Sequence, residues 1–250
     1  MQLCAVIPAA GRGSRLGLGG PKILAPITAS QTVWSILYAK LSSLVDHIHV
    51  VISPEGEAAF RGALTAQQLA DVSFSIQPTP LGMGDAIFRG SGVWRAAQTI
   101  LVIWGDQVFV STKTLRRAIA MHGNRPHRVV LPLVRMQAPY VEYVFDQRSH
   151  LRAVHQSREG DICATGGLAD VGTFLLSADG LDIAWRDFLS QTERGSQTHE
   201  LNFLPFLPYL AAHGWSVQTV EIRDTTEARG INTRDDLEFF RRLYLKPDPG

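Results

Sequence analysis

A glycine-rich, basic segment near the N-terminus carries residue types that bind polyphosphates. It reads Ala-Ala-Gly-Arg-Gly-Ser-Arg over residues 9–15, and a Pro21-Lys22 pair follows it. Glycine allows backbone N–H groups to approach an anion closely, and the side chains of Arg12, Arg15 and Lys22 add positive charge beside them. A glycine-rich turn without function is the alternative interpretation, but three cations so close together disfavour it. We therefore interpret residues 9–22 as a triphosphate-binding loop.

The spacing of this loop differs from the two commonest nucleotide-binding signatures. Residues 9–15 contain only Gly11 and Gly13, so the third glycine of the dinucleotide fingerprint is missing from its normal place. The next predicted strand also ends without a convincing acid for a ribose. The Gly-Lys-Ser/Thr sequence of a Walker loop does not occur. A dinucleotide-dependent oxidoreductase is therefore disfavoured.

Three polar residues elsewhere could complete a site around the loop. Asp106 ends a strongly apolar strand, where a lone acid beside a glycine suits a ligand site better than a helix cap. Asn232 lies in a turn, and on local grounds it is nearly as well explained as a turn residue. Gln77 ends another strand, and with the backbone of Gly82 it offers enough hydrogen bonds to read a pyrimidine edge. The alternative for Gln77 is an exposed amide at a strand end.

Composition and charge exclude several classes of protein. The 250 residues carry a net charge of +1, so no basic field indicates a nucleic-acid partner. The two cysteines, Cys4 and Cys163, make neither a disulfide framework nor a metal-type spacing. No apolar stretch reaches the ~18 residues of a membrane span, and no leader precedes the first strand, so we expect a cytoplasmic protein without a membrane partner. We interpret the apolar run 201–207 as core packing, with a homo-oligomer surface as the minority alternative.

Strands and helices alternate through the first half of the chain. We predict strands at 3–8, 47–52, 72–77 and 99–104, and helices at 32–44, 55–69, 85–97 and 113–122. This alternation predicts an α/β fold with a Rossmann-like, doubly wound and mainly parallel sheet. Ligands of such sheets bind beyond the carboxyl ends of the strands, where the basic loop, Gln77 and Asp106 all lie.

The second half of the chain changes to a mixed pattern. We predict strands at 127–133, 140–145, 151–155, 170–176 and 215–222, helices at 181–190, 200–213 and 234–245, and a loop at 157–169. Thr233 has the residue type and position of an N-cap for the last helix. We expect the mixed sheet to form a lid for a second substrate.

Four motifs together resemble the sugar-1-phosphate nucleotidyltransferases, the family that makes nucleoside-diphosphate sugars. They are residues 8–16 with Pro21-Lys22, Gln77 with residues 80–86, Gly105-Asp106, and Gly230-Ile231-Asn232, in the family's order. Each motif alone is weak, but the resemblance runs through most of the chain and is closest to the uridylyltransferases. It implies the nucleotidyltransferase fold in a single domain 1–250. That domain would divide into a nucleotide-binding half at 1–125, an acceptor-binding half at 126–227, and a metal-ligand turn with a closing helix at 228–245.

The resemblance also implies roles for individual residues. Arg15 and Lys22 would be catalytic, and Asp106 and Asn232 would hold one Mg²⁺. The residues implied for nucleotide binding are Ala9, Ala10, Gly11, Arg12, Gly13, Ser14, Gln77, Gly82 and Met83. The residues implied for acceptor binding are Tyr140, Glu142, Gln156 and Asp170.

The reaction that the resemblance implies needs positive charge and positioning more than a proton acceptor. A sugar-phosphate oxygen attacks the α-phosphorus of a nucleoside triphosphate, and pyrophosphate leaves. A phosphate nucleophile with a second pKa of ~6 is already ionised at neutral pH, so no general base is required. Arg15, Lys22 and the Mg²⁺ would bring two anionic substrates together and stabilise the leaving group.

Several positions differ from the uridylyltransferase pattern, and they leave the substrates open. Met83 stands where that branch has threonine, so CTP or another base is an alternative to UTP. On the acceptor side Asp170 replaces an asparagine, and His155-Gln156 stands where a glutamate is expected. Glu142, Asp170 and Glu200 would make an acidic pocket that suits a polyhydroxy or amino-bearing acceptor.

The sequence thus supports one favoured function and two alternatives. The favoured one is Mg²⁺-dependent nucleotidyl transfer from UTP or CTP to a sugar-1-phosphate-like acceptor. One alternative is a cytidylyltransferase that acts on a non-sugar phosphate or phosphonate. The other is a non-catalytic nucleotide-sensing module, which the presence of Arg15, Lys22, Asp106 and Asn232 disfavours.

Overall fold

The computed structural model describes residues 1–11, 17 and 19–244. Most of its strands lie in one central sheet. In chain order the strands are β1 (Leu3–Pro8), β2 (His47–Ile52), β3 (Val72–Ile76), β4 (Thr99–Ile103), β5 (Arg128–Arg135), β6 (Val141–Phe145), β7 (Leu151–Gln156), β8 (Leu168–Asp170), β9 (Thr173–Ser177) and β10 (Ser216–Ile222). β6 and β7 form a separate antiparallel hairpin.

The central sheet has the strand order β10-β5-β9-β4-β1-β2-β3, with the short strand β8 paired to β5. The neighbouring pairs among β1, β2, β3 and β4 are parallel, and so is the pair of β5 and β10. β9 runs antiparallel to β4 and β5, and β8 runs antiparallel to β5. The predicted α/β fold with a doubly wound, mainly parallel sheet is confirmed.

Helices cover both faces of the sheet. They are α1 (Val33–Leu41), α2 (Glu57–Ala63), α3 (Gln68–Asp71), α4 (Met83–Arg89), α5 (Ser91–Trp94), α6 (Thr112–His122), α7 (Leu181–Gln191), α8 (Phe206–Ala212) and α9 (Arg234–Tyr244). Alternate residues of β1 point to opposite faces, so Leu3, Ala5 and Ile7 pack with α1, α2, α6 and α9, whereas Cys4 and Val6 pack with α4, α5, α7 and α8. Among the described helices, none is long and apolar enough to cross a bilayer.

Several helices are shorter than the sequence pattern predicts. The helix expected at 55–69 divides into α2 and α3, and the one expected at 85–97 divides into α4 and α5 at Gly90. A Cβ at position 90 would lie 2.7 Å from His49 Cδ2, so the chain passes too close to β2 for a larger residue. The helix expected at 200–213 begins only at Phe206, after Pro205, because proline lacks the N–H that a helix interior requires. Residues 200–202 are therefore non-helical and available for other contacts.

The strand predicted at 170–176 is broken in two at Gly172. β8 ends at Asp170, and β9 begins at Thr173. Gly172 has a φ of +68°, which favours glycine, and its N–H donates to Asp170 Oδ1 at 2.7 Å. A Cβ at this position would also lie 2.4 Å from Gln107 Cγ. The break therefore places the Asp170 carboxylate at the last residue of a strand.

His49 provides a test of the packing between β2 and β3. Its side chain is buried, with Nδ1 2.8 Å from Ser73 Oγ and Nε2 3.0 Å from Ser75 Oγ. Burial, with a smaller contribution from the charge of His47, lowers the pKa of His49 from 6.5 to about 4. Between these values the unfolded chain binds a proton that the folded chain does not, so stability falls as the pH drops from 6.5 towards 4.

We expect the His49→Gln variant to lose less stability between pH 7 and pH 5 than the parent protein, by roughly 2 kcal/mol. Urea unfolding at the two pH values measures this difference. His150→Gln is the matched control, because the His150 side chain is 62% exposed. An unchanged pH dependence in His49→Gln would contradict the assignment of a neutral, buried imidazole.

Candidate active site

A cleft of about 860 Å³ opens at the carboxyl ends of β1, β3 and β4 and reaches the β6–β7 hairpin. The residues predicted for the site that line it are Ala9, Ala10, Gly11, Lys22, Gln77, Gly82, Met83, Asp106, Tyr140, Gln156, Asp170 and Asn232. The predicted residues Arg12, Gly13, Ser14 and Arg15 lie outside the described residues. Glu142 is described and does not line the cleft. The tertiary structure thus brings nucleotide-side, metal-side and acceptor-side predictions into one cavity.

Lys22, Asp106 and Asn232 line this cleft and contact one another. Lys22 Nζ donates to Asp106 Oδ2 at 2.6 Å and to Asn232 Oδ1 at 3.0 Å. Lys22 begins a short 3₁₀ turn, Lys22–Leu24, which the buried side chain of Ile23 anchors in the core. These three residues are separated by up to 210 positions in the sequence, so only the fold brings them together.

The turn that carries Asn232 is fixed to both the sheet and α9. Ile231 N–H donates to the Asp106 carbonyl oxygen at 3.2 Å, which ties the turn to the end of β4. Asp236 Oδ2 accepts from the backbone N–H groups of Asn232 and Thr233 at 3.0 and 2.8 Å. In return Asp236 N–H donates to Thr233 Oγ1 at 3.2 Å, as expected for the predicted N-cap. A Cβ at Gly230 would lie 3.1 Å from Asp106 Cγ, so the turn packs closely on the carboxylate.

The donor set of this cluster fits a magnesium ion. Carboxylate and amide oxygens are hard ligands, and Mg²⁺ is commonly held by one or two protein groups while substrate phosphates and water complete its octahedron. Asp106 Oδ2 and Asn232 Oδ1 already converge on one positive charge, the Lys22 ammonium. Within the described part of the chain, no group of three or more His, Cys, Asp or Glu residues could hold a metal. By residue type and position, Asp106 and Asn232 are candidates to hold such an ion.

Gln77 is oriented by the turn that follows β3. Its Nε2 donates to the Gly82 carbonyl oxygen at 3.0 Å and to Asp85 Oδ2 at 2.8 Å. Both partners are acceptors, so the network defines which end of the amide is nitrogen. Because both amide hydrogens are used within the turn, the group that Gln77 can offer a ligand is the carbonyl oxygen. This narrows the sequence prediction, in which Gln77 offered both a donor and an acceptor.

The same turn packs against residues 200 and 201 from the second half of the chain. Leu201 N–H donates to the Leu81 carbonyl oxygen at 2.6 Å, and Gly84 N–H donates to the Leu201 carbonyl oxygen at 2.9 Å. Gly82 has a φ of +107°, and a Cβ there would lie 2.7 Å from Glu200 Cβ. The non-helical residues before Pro205 therefore join the predicted base-reading turn to the acceptor side.

Asp170 lies beside the β6–β7 hairpin, on the predicted acceptor side of the cleft. Tyr143 Oη donates to Asp170 Oδ2 at 3.1 Å, and Gly172 N–H donates to Oδ1. Burial raises the pKa of the Asp170 carboxyl, these hydrogen bonds oppose the rise, and the charge of Asp106 adds to it. Burial and the neighbouring Asp170 charge also raise the pKa of Tyr143, so the tyrosine remains a donor. Asp170 is thus held by neutral donors in a position facing the cleft.

The predicted acidic pocket is less acidic than the sequence indicates. Glu142 Oε2 accepts from Ala164 N–H at 2.8 Å and lies 3.4 Å from His155 Nδ1, so this carboxylate holds the loop beyond β7 instead of lining the cleft. Glu200 lines the cleft, but its Oε2 is paired with Arg158 Nη2. Of the three acids, Asp170 alone both lines the cleft and has neutral partners in the described hydrogen bonds.

Two arginines of the cleft were missed by the sequence analysis. Arg158 follows β7 and pairs with Glu200, 42 residues away, and no local signal indicates that pairing. Arg229 pairs with Asp236 at 2.8 Å, and its guanidinium lies 4.1 Å from the centroid of the Phe239 ring. Its position directly before Gly230 was a usable signal, since the adjacent motif was already a site candidate.

Residues 5–169 match the MobA-like NTP transferase domain, so the chain belongs to that family. The fold, the family and the cleft define a nucleotidyltransferase, which confirms the predicted resemblance and the predicted class of enzyme. The bifunctional protein GlmU of Pseudomonas fluorescens is 27% identical over 246 residues, which are 98% of this chain and 52% of that protein. The chain thus spans about half the length of the curated relatives it matches.

Solved structures share the fold at low sequence identity. A crystal structure from Bacillus anthracis, assigned as a glucose-1-phosphate thymidylyltransferase, superposes with a TM-score of 0.78 at 16% identity, over 99% of this chain and 97% of that chain. The 4-diphosphocytidyl-2C-methyl-D-erythritol synthase of Anaerococcus prevotii superposes with a TM-score of 0.64 at 14% identity, over 98% and 96% of the two chains. At such identities the likeness concerns the architecture.

Glu159 holds the segment 195–202 that packs on the base-reading turn. Its carboxylate accepts from the N–H groups of Gln197 and Thr198 at 3.0 and 3.3 Å and from Asn202 Nδ2 at 2.9 Å. Burial opposes ionisation, but these donors and the Thr198 hydroxyl outweigh it and lower the pKa of Glu159 to about 2. The ionised Glu159 carboxylate therefore makes its full contribution to stability above pH 4.5, and this contribution is lost as the pH falls towards 2.

We expect Glu159→Gln to loosen this segment, because the amide presents N–H groups to donors, and to cost about 1–3 kcal/mol of stability at neutral pH. Hydrogen exchange of peptides covering residues 195–202 should accelerate, and denaturant unfolding measures the free energy. Glu193→Gln, at an exposed position, is the control. Unchanged exchange in Glu159→Gln would show that other contacts hold the segment.

Proposed function

We propose that this chain transfers a nucleotidyl group from a pyrimidine nucleoside triphosphate, UTP or CTP, to a sugar-1-phosphate-like acceptor. An oxygen of the acceptor phosphate attacks the α-phosphorus, the bond from that phosphorus to the β-phosphate oxygen breaks, and pyrophosphate leaves. The observation that supports this most is the convergence of Lys22, Asp106 and Asn232 in one cleft. The same cleft is lined by residues predicted for the nucleotide and by residues predicted for the acceptor.

The residues of the cleft supply charge and orientation and no proton acceptor is needed. The phosphate nucleophile is ionised at neutral pH, since its second pKa is about 6. Lys22 would place an ammonium beside the triphosphate, and the N–H groups of Ala10 and Gly11 would line its path, whereas the N–H of Ala9 donates to the Val51 carbonyl oxygen. Asp106 and Asn232 would hold Mg²⁺, which when bound neutralises phosphate charge and orients the two substrates. Arg15 keeps its predicted catalytic role as a proposal, since it lies outside the described residues.

Gln77 favours a nucleotide base that presents an N–H donor to its side chain. Its free carbonyl oxygen could accept from the N3–H of uracil or from the exocyclic amine of cytosine. Met83, which lines the cleft beside Gly82, offers a thioether where the uridylyltransferase branch has a hydroxyl. Neither residue separates UTP from CTP, so both stay within the proposal.

The residues at the proposed acceptor end of the cleft suit a phosphorylated acceptor that carries hydroxyl groups. Asp170 can accept from hydroxyl or amino groups, while the exposed ring of Tyr140 and the buried amide of Gln156 line the same end. Arg158 also lines the cleft and pairs with Glu200, so the pocket is less acidic than the sequence predicted.

A cytidylyltransferase acting on a non-sugar phosphate or phosphonate is the second candidate. Two observations favour this candidate: position 83 is methionine where the uridylyltransferase pattern has threonine, and the fold is similar to that of a diphosphocytidyl-methylerythritol synthase. A matrix of four nucleoside triphosphates against phosphorylated sugars, polyols and phosphonates, read by pyrophosphate release, separates the candidates. We expect release with UTP or CTP and a hydroxylated acceptor. Nucleotide binding without release from any pair would instead favour the non-catalytic sensing module.

We expect Asp106→Asn to reduce pyrophosphate release by about 100-fold or more, because one preorganised charge is lost from the metal ligands. Nucleotide binding, measured by calorimetry, should weaken but persist. Asp187→Asn on the exposed surface of α7 is the matched control and should retain the parent rate. Retained Mg²⁺-dependent turnover in Asp106→Asn would remove Asp106 from the metal site.

A further inference from the structure

The Lys22 ammonium lies between the two oxygens that would hold the divalent cation. Its Nζ is 2.6 Å from Asp106 Oδ2 and 3.0 Å from Asn232 Oδ1. The side chains of Lys22 and Asp106 are only 19% and 17% exposed, so solvent screens this pair weakly. One cationic group of the chain therefore uses the same ligand atoms as the proposed metal.

The ammonium and a metal ion cannot use these oxygens together. Mg²⁺ binds oxygen at about 2.0–2.1 Å, so an ion bound to Asp106 Oδ2 and Asn232 Oδ1 would lie in the space that Nζ now borders. The ammonium and a metal ion in contact with the same oxygens would repel each other strongly in a partly buried site. Binding of the metal must therefore move the lysine side chain.

We propose that Lys22 is an exchangeable counter-ion of the metal site and couples metal binding to nucleotide binding. This inference rests on the proposed function, in which Asp106 and Asn232 hold the metal. A divalent cation displaces the ammonium, and the triphosphate supplies the anion to which the freed ammonium moves. Metal alone binds weakly, because it must break the contacts of Lys22 without giving the ammonium a new partner. By linkage, the metal and the nucleotide each raise the affinity of the site for the other.

A purely structural ion pair makes the opposite prediction. If Lys22 only tethered its loop to the turn after β4, and the metal did not use Asp106 and Asn232, removal of the ammonium would lower stability and would not improve metal binding. If Lys22 is an exchangeable counter-ion, its removal leaves Asp106 and Asn232 free to bind a metal ion. Metal affinity in the absence of nucleotide therefore separates the two roles.

The first experiment measures Mn²⁺ binding to nucleotide-free protein by electron paramagnetic resonance. We expect Lys22→Met to bind Mn²⁺ about tenfold more tightly than the parent, within the usual range of coupling between sites. Lys113→Met, on an exposed residue of α6, is the matched control and should bind as the parent does. Equal Mn²⁺ affinity in Lys22→Met and the parent would overturn the exchange.

The second experiment uses the parent protein and does not depend on the folding of a variant. Acetic anhydride labels free lysine amines, and mass spectrometry reports the extent at each lysine. Saturating Mn²⁺ without nucleotide should increase labelling of Lys22 several-fold and leave Lys113 unchanged, and added triphosphate should reverse the increase. Labelling of Lys22 that does not respond to Mn²⁺ would also overturn the exchange.

A double variant distinguishes failure of this inference from failure of the proposed function. Asp106→Asn combined with Lys22→Met should lose the tight Mn²⁺ binding of Lys22→Met. If the double variant binds Mn²⁺ as well as Lys22→Met does, the metal lies elsewhere, and both the exchange and the proposed metal site are wrong. If Asp106 is needed but removal of Lys22 gives no gain, only the exchange is wrong.

Discussion

The carboxyl ends of parallel strands meet at one edge of a sheet, and this constraint assembles the cleft. β1, β2, β3 and β4 pair in parallel, so the loop after Pro8, Gln77 and Asp106 emerge at the same edge. Asn232 arrives from the far end of the chain, and the hydrogen bond from Ile231 N–H to the Asp106 carbonyl oxygen holds it there. The geometry of the metal-binding candidates therefore depends on the backbone of the turn that follows β4 as much as on side chains.

Three cations of the cleft are paired with carboxylates in the described part of the chain. Lys22 contacts Asp106, Arg158 contacts Glu200, and Arg229 contacts Asp236. An unpaired charge in a partly buried site carries a desolvation penalty, which the carboxylate partner of each of these three cations reduces. In the proposed function, anionic substrates and a cation would replace some of these internal partners. Two candidate recognition residues differ in their partners: Asp170 accepts from a tyrosine hydroxyl and a backbone N–H, whereas Gln77 donates to a backbone carbonyl oxygen and to the Asp85 carboxylate.

Backbone contacts join the two halves of the chain, and no sequence motif marks their partners in the second half. Leu201 makes hydrogen bonds to the turn after β3, and Glu159 holds the segment around Leu201 through the neighbouring N–H groups and Asn202. Main-chain bonds depend on the path of the chain and only weakly on residue type, so periodicity and motif spacing do not reveal them. The predicted helix over 200–213 misassigned this segment because Pro205 shifts the helix start to Phe206.

The amino-acid sequence by itself determined the alternation of strands and helices, the mainly parallel sheet, and the residues at the strand ends with chemistry to offer. These follow from local periodicity and from residue types that are readable without neighbours, as with Gln77, Asp106 and the turn at Asn232. Only the tertiary structure decided that Lys22 contacts Asp106 and Asn232, that Glu142 lies outside the cleft, and that Arg158 neutralises Glu200. Those outcomes depend on side chains that lie tens to hundreds of residues apart in the sequence, and their free energy exists only once packing has removed the charges from water.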